Sequence, residues 1–309
     1  MLILLPIGVL LVVSLAFNII TTVSRKIYNR SAPSNKQSVW FFNTVMSLAC
    51  LVFIVVFSIN PVAAEPFAKL TDFSWASVGL GALFGVLVLV QSITYMQALD
   101  IGPFSYTSVI VSLASLIAAL SGLFFGEIID LYQIIGMGIM VFCIIFSTDK
   151  NNGDKKTSFK WLVIALISCV TNGLLGVMQK IHQNTVYKEQ STIFLVSAFA
   201  FMTVAGGAIW LVLRKRAGED VYRPTKKHTL IAAVSGATLA VPHVANLYLA
   251  GAMHSAVFFP IFNTGSMIIT LIVATVFFRE KLTKLQWLGI VLGLISSLFV
   301  SGTVTAWIG

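Results

Sequence analysis

The side chains in this 309-residue chain that are best suited to bind or transfer something are amides, hydroxyls and one histidine set within long apolar stretches. An amide in apolar surroundings needs hydrogen-bond partners, so it faces another helix or a polar ligand. His243 lies well inside such a stretch, and an imidazole can gain or lose a proton near neutral pH. The candidate substrate-binding residues are Asn18, Gln91, Tyr95, Asn172, His243, Asn246 and Asn263.

Helical spacing places several of these side chains on shared faces. Gln91, Thr94 and Tyr95 follow an i, i+3, i+4 pattern, and His243 and Asn246 are i, i+3 neighbours. Two interpretations are open for the asparagines: contact with a bound solute, or packing between helices. For His243 the alternatives are proton coupling and a neutral imidazole that is hydrogen-bonded within a bundle.

The elements that hold these residues are predicted to be membrane-spanning helices. Hydrophobic residues make up 58% of the chain and charged residues only 10%, which is too apolar for a soluble globular protein. Runs of about 20 apolar residues must satisfy their own backbone hydrogen bonds in a bilayer and therefore form helices. The predicted fold is all-α with ten spans, at 2–23, 39–59, 75–98, 104–125, 131–148, 160–179, 192–213, 229–250, 256–278 and 285–307.

Other kinds of chemistry lack a carrier in the sequence. No HExxH, GxSxG or paired membrane aspartates are present, so we expect no catalytic residue, metal or cofactor, and a membrane-embedded enzyme is disfavoured. Cys50, Cys143 and Cys169 lie inside apolar runs and are expected to be core residues. The net charge of +9 comes from basic residues near helix ends, which indicates a lipid surface and not nucleic acid.

The chain repeats itself. Residues 124–136 and 277–289 align at an offset of 153, matching Glu127 with Glu280. Residues 14–27 and 168–181 align at an offset of 154, matching Asn18 with Asn172 and Lys26 with Lys180. We therefore predict two five-helix repeats, residues 1–150 and 151–309.

An odd number of spans in each repeat means that the second enters the membrane from the opposite side. Inverted repeats of this kind can exchange conformations, so that a cavity between them opens first to one side and then to the other. The architecture predicts a transporter that works by alternating access, and a non-transporting receptor remains an alternative.

Basic residues also bear on orientation. The odd-numbered loops hold 17 of the 20 lysines and arginines, and the even-numbered loops hold Lys69, Lys180 and Lys188. The positive-inside rule then places the odd loops in the cytoplasm and both termini outside.

Four passages carry a family resemblance: FFGEIIDLYQIIGMGIM, FFREKLTKLQWLGIVLGLI, YMQALDIGPFSYTSVIVSLASLI and NLYLAGAMHSAVFFPIFNTGSMI. With the two inverted fives, they resemble the drug/metabolite transporter superfamily, specifically its EamA-like ten-helix members. The resemblance implies a multi-pass carrier of the bacterial cytoplasmic membrane, commonly an exporter of small metabolites such as amino acids, with a central cavity between the repeats. It also implies cytoplasmic termini, in conflict with the charge bias.

One departure from the family pattern concerns the fourth predicted span, 104–125, which has Thr107 where a proline is often found. Pro260 stands at the matching place in the ninth predicted span, 256–278, so only the second repeat is expected to contain a loosened helix. The alternative substrates are nucleotide-sugars or drug-like solutes, and phosphates would require the basic residues Lys26 and Lys180. Expected partners are the small-molecule substrate, the lipid bilayer and, through His243, protons, with the protein a monomer or a weak homodimer.

Overall fold

A computed structural model describes residues 6–59, 74–102, 104–147, 158–217, 221–279, 283–300 and 304. All ten predicted apolar runs are helical over these residues. The helices are α1 (Ile7–Ser31), α2 (Lys36–Ile59), α3 (Trp75–Ile101), α4 (Phe104–Ser112), α5 (Ala114–Ser121), α6 (Leu131–Ser147), α7 (Phe159–Gln183), α8 (Ser191–Arg216), α9 (Lys226–Ala252), α10 (Ser255–Val276) and α11 (Lys284–Val300).

The first helix continues further than its hydropathy predicted. The predicted run ended at residue 23, but α1 ends at Ser31, so Arg25 and Lys26 lie inside the helix. Both are buried and not in a loop. Arginine and lysine are good helix formers, and no proline follows until Pro33. Because hydropathy treats a basic residue as the end of a span, it placed these two side chains outside the helix.

The fourth run is interrupted although it lacks proline. It divides at Leu113 into α4 and α5, where the amides of Leu113 and Leu116 bond to the carbonyls three residues before them. Ser115 Oγ donates to the Ser112 carbonyl (2.9 Å), and such bonds compete with helical pairing. In contrast, α10 is continuous through Pro260. The expectation that only the second repeat would be loosened is therefore wrong.

Within the described residues, seven helices are long and apolar enough to cross a membrane: α1, α2, α3, α7, α8, α9 and α10. The candidate span of α8 is counted from Lys188. Shorter apolar helices cover the regions of α4–α5, α6 and α11. Large apolar side chains such as Val12, Val56 and Val204 are more than half exposed, as expected where lipid covers a helix. The architecture is a multi-pass membrane protein, and the exact count of ten spans stays a prediction.

The chain packs into two compact units. Unit 1 is Met1–Met96 with Ile181–Leu249, and unit 2 is Gln97–Lys180 with Ala250–Gly309. Each unit takes helices from both halves of the sequence, so the units are a different division from the predicted repeats 1–150 and 151–309. The repeat boundaries stay a prediction.

Unit 1 is held together by close approaches of helices. α2 packs along α8, and α3 meets α8 through Gly81 and Gly85. A Cβ atom on either glycine would lie 2.3 Å from a carbonyl oxygen of α8, Phe194 for Gly81 and Ala198 for Gly85. These glycines form a small-xxx-small contact between α3 and α8.

Unit 1 also contains a polar seam between α1 and α9. Ser14 Oγ donates to Asn246 Oδ1 (2.7 Å), and the hydroxyls of Thr21 and Thr238 are 2.9 Å apart. Ser14 and Thr21 are seven residues apart, two helical turns, so they lie on one face of α1. The seam fixes how α1 lies on α9.

Unit 2 is organised around α10, which packs on α4, α5 and α11, and around the pair α6 and α11. Ser296 Oγ donates to the Gly136 carbonyl (2.7 Å), and a Cβ on Gly136 would lie 2.7 Å from Val300 Cγ2. Trp161 Nε1 of α7 donates to Thr107 Oγ1 (3.0 Å), so the residue that replaces the expected proline anchors an indole.

Cys50 in unit 1 and Cys169 in unit 2 are both buried, as predicted for core residues. The side chain of Cys143 lies outside the described part of the structure.

Candidate functional site

Unit 1 contains a buried arginine that the hydropathy pattern had placed in a loop. Arg25 is only 6% exposed, and it lies six residues before the end of α1, or roughly 9 Å along the helix axis. Its Nη2 atom points to the thioether sulfur of Met46 (3.7 Å), and its guanidinium stands over the ring of Tyr95, 5.8 Å from the centroid. A buried cation of this kind marks a functional site unless it has a counter-charge.

No counter-charge for Arg25 is found in the described part of unit 1. The acidic residue in the described part of this unit, Glu189, is exposed, and Nε of Arg25 has no hydrogen-bond partner among the residues described. A thioether is a weak acceptor. The guanidinium therefore has unused donors in a protein interior.

Two predicted binding residues of α3 line the same region. Tyr95 is 6% exposed and Gln91 is 8% exposed, and they stand one turn apart on the buried face of α3 that also carries Phe84. Tyr95 makes the contact with Arg25. The predicted stripe is thus partly right: Gln91 and Tyr95 are buried together, while the Thr94 hydroxyl bonds to the carbonyls of its own helix, Val90 (2.8 Å) and Gln91 (3.1 Å).

His243 lies between phenylalanine rings. Its ring centroid is 5.6 Å from that of Phe84 and 5.0 Å from that of Phe199. Its Nδ1 atom is buried without a hydrogen-bond partner within the described residues, and the charge of Arg25 is close enough to act on the imidazole. The position supports neither a fully bonded packing histidine nor a solvated one.

A second histidine shares this aromatic cluster and was missed in the sequence. His182 is fully buried, and its ring centroid is 4.4 Å from that of Phe194, which in turn contacts Phe84 at 5.0 Å. The predicted span ended at residue 179, whereas α7 continues to Gln183. Gln179 and Gln183 flank His182 in sequence and made the end of the run look polar.

The other predicted residues of unit 1 are engaged in contacts. Asn246 Oδ1 accepts the bond from Ser14 in the seam, so this amide serves helix packing with its oxygen, while its nitrogen is unused among described residues. Asn18 lies on α1, one turn before Thr21 and Thr22, and takes part in a polar interaction. The structure thus places Arg25 over Tyr95, with Gln91 one turn before Tyr95 on α3 and with His243 close enough for the charge of Arg25 to act on it.

Unit 2 brings together the remaining two predicted residues. Asn172 Nδ2 of α7 is 3.5 Å from Asn263 Oδ1 of α10, and Asn263 Nδ2 donates to the Phe259 carbonyl (3.0 Å). Both side chains are half-buried. Their contact is at the long limit of a hydrogen bond, so the pair can exchange it for a bond to another polar group.

A buried ion pair lies at the helix ends of unit 2. Lys180 Nζ pairs with the Glu127 carboxylate and also donates to the carbonyls of Ala250 (3.0 Å) and Met253 (3.2 Å). Glu127 accepts from the backbone amide of Ser255 (2.7 Å) at the start of α10. Lys180 is therefore occupied, and the sequence, which had considered it for phosphate binding, did not pair it with Glu127.

Metal binding has no visible basis in the part of the chain that the structure describes, where no group of three or more histidine, cysteine, aspartate or glutamate side chains lies together.

Comparison with known proteins gives one family match in each half of the chain. A family model described as the EamA-like transporter family matches the chain twice, at residues 4–148 and 159–302. A solved structure titled "Crystal structure of protein" aligns with a TM-score of 0.65 and 10% identity, covering 98% of this chain and 99% of that one. At that identity the likeness shows the fold alone. Curated protein sequences gave no match.

Proposed function

Because the chain belongs to the EamA-like transporter family, with two copies of the family's unit, we propose that it is a secondary active exporter of small metabolites such as amino acids, working by alternating access in the cell membrane. The double match carries this proposal, and it is the match that the sequence resemblance predicted. Proteins of this family are membrane transporters.

The placement of the repeat-related helices α1 and α7 supports alternating access. At the offset of 154 they are equivalent, since Asn18 aligns with Asn172 and Lys26 with Lys180. α1 nevertheless belongs to unit 1 and α7, up to Lys180, belongs to unit 2. Equivalent helices in unequal surroundings are expected when two repeats adopt two conformations of one fold, and exchange of those conformations is the transport step.

Polar groups for a solute are available within each unit. We propose that Gln91, Tyr95 and His243 in unit 1 and Asn172 and Asn263 in unit 2 contact it, with Asn18 and Asn246 as further candidates. Amides and hydroxyls suit a small polar or amphipathic solute. A nucleotide-sugar is less suited, because Lys180 is already paired with Glu127.

The first measurement is the melting temperature of the purified full-length protein in the presence of amino acids, nucleosides, sugars, nucleotide-sugars or aromatic amines. A ligand that binds only the folded state raises this melting temperature. A solute that stabilises the protein is then used for counterflow in liposomes. We expect saturable counterflow, with weaker binding in Asn172→Ala and normal binding in Asn184→Ala, whose side chain is exposed beyond α7.

Binding without counterflow would favour a receptor over a carrier. Normal binding in Asn172→Ala would reduce the Asn172–Asn263 contact to helix packing.

A further inference from the structure

We propose that Arg25 binds an anionic group, a carboxylate or a phosphate, of the transported solute. This assignment rests on the proposed transport function and narrows its substrate class to organic anions and to zwitterions that carry a carboxylate.

The first step is the imbalance of charge. Arg25 is 6% exposed, while the acidic residue in the described part of unit 1, Glu189, is exposed. Removing a charge from water is costly unless a partner of opposite sign is supplied. Because Arg25 has no buried carboxylate partner among the described residues of unit 1, a bound anion would lower the free-energy cost of burying its charge.

The second step is the set of donors. The Nε atom of Arg25 is buried and unbonded among the described residues, and Nη2 has only the sulfur of Met46 at 3.7 Å. A guanidinium presents its N–H groups as a planar fork that fits two oxygens of a carboxylate or phosphate. The face of the fork rests on Tyr95, which leaves its edge for an oxyanion.

Other polar side chains of unit 1 also have hydrogen-bonding groups that are unused among the described residues. Gln91 is 8% exposed, and no hydrogen bond of its side chain occurs among described residues, while His243 has an unbonded Nδ1. Three helices, α1, α3 and α9, thus contribute under-used polar groups to one region of unit 1. An amide and an imidazole supply the additional hydrogen bonds that an oxyanion or a neighbouring amine requires.

The fourth step is the asymmetry between the repeats. At the offset of 154 that aligns Lys26 with Lys180, Arg25 aligns with Gln179, which is also buried. The shared fold therefore accommodates glutamine at this position. The cation is an addition of the first repeat and is not required by the helix packing that both repeats have in common.

The experiment compares ligands that differ in charge, most of which share a phenyl group. Melting temperatures of the full-length protein are recorded with 3-phenylpropionate, L-phenylalanine, L-leucine, acetate and phenyl phosphate, and with the uncharged 3-phenylpropionamide and the cationic phenethylamine. We expect the wild-type protein to be stabilised by carboxylates or by the phosphate and not by the amide or the amine. Whichever class of anion stabilises it more strongly identifies the solute's group.

The decisive variant is Arg25→Gln, which installs the residue found at the equivalent position in α7. We expect its affinity for the stabilising anion to fall about 10- to 100-fold, the range for loss of a charge-assisted hydrogen bond. Arg25→Lys retains charge without the fork and should bind with intermediate affinity. Arg214→Gln is the matched control, since Arg214 also stands over an aromatic ring, Trp210 at 5.5 Å, but is exposed.

Three results would overturn the assignment: an Arg25→Gln protein that elutes as a single folded species and binds the anion as the wild type does, a wild-type protein that responds equally to acid and amide, or one that ignores every anion. Failure of the carrier function has a different signature. Counterflow of the amine or amide by a protein that ignores anions would reject the Arg25 site and keep the carrier, whereas Arg25-dependent anion binding without counterflow would do the reverse.

Discussion

The ammonium group of Lys180 lies against the carboxylate of Glu127 within unit 2, with both side chains at most one-tenth exposed. The pair connects the end of α7 to the turn between α9 and α10, because Lys180 also caps the carbonyls of Ala250 and Met253 and Glu127 holds the amide of Ser255. The pair is thus the junction of three helix ends and a structural element, not a phosphate site.

Replacing Lys180 with methionine should destabilise the protein by about 3–5 kcal/mol, because it leaves a buried carboxylate without its charge partner. The measurement is a fall in melting temperature of the detergent-purified protein. The double variant Glu127→Gln, Lys180→Met should recover part of the loss, since it removes both charges. Lys188→Met, an exposed lysine, should melt as the wild type does. A single variant as stable as this control would mean that the pair contributes nothing to stability.

The sequence predicted the positions of the helices far better than the locations and partners of the charged side chains. Hydropathy located all ten helical runs because a span must be apolar to lie in lipid. The same rule misplaced Arg25 and Lys26, since their burial depends on helices distant in sequence: Tyr95 of α3 and Met46 of α2 for Arg25. The repeat aligned Lys26 with Lys180 and Glu127 with Glu280, but the pairing of Glu127 with Lys180 needed the fold.

The candidate binding residues stay a prediction for a related reason. Polarity within an apolar run identifies a side chain that needs a partner, but it does not say whether the partner is a solute or another helix. Asn246 found a partner in Ser14, whereas Gln91 has none among described residues. The break at Leu113 was unpredictable from proline content, because serine bonds to backbone carbonyls loosen α4–α5 instead.

The approach of α3 to α8 provides a second test. Gly85→Ala should lower stability by about 1–3 kcal/mol or more, because the new methyl group would lie 2.3 Å from the Ala198 carbonyl and force the helices apart. Gly79→Ala, on the same helix with open space around it, should change stability by no more than about 1 kcal/mol and in the favourable direction. The two melting temperatures are compared directly. Equal values for both variants would show that α3 and α8 are not in such close contact.

His243 remains the candidate for proton coupling, and its surroundings make the test specific. The groups that face it are the rings of Phe84 and Phe199 and the charge of Arg25. If the unbonded Nδ1 atom takes up the coupling proton, His243→Gln should retain solute binding, since glutamine keeps a hydrogen-bonding group there, but lose the pH dependence of transport. The measurement is counterflow and proton-gradient-driven uptake in liposomes between about pH 5.5 and 8, spanning the ordinary range of histidine titration.

His254→Gln serves as the control, because His254 is exposed before α10. An unchanged pH profile in His243→Gln would leave His243 as a solute-binding or packing residue. His182, a buried histidine of the same aromatic cluster, would then become the next position to vary.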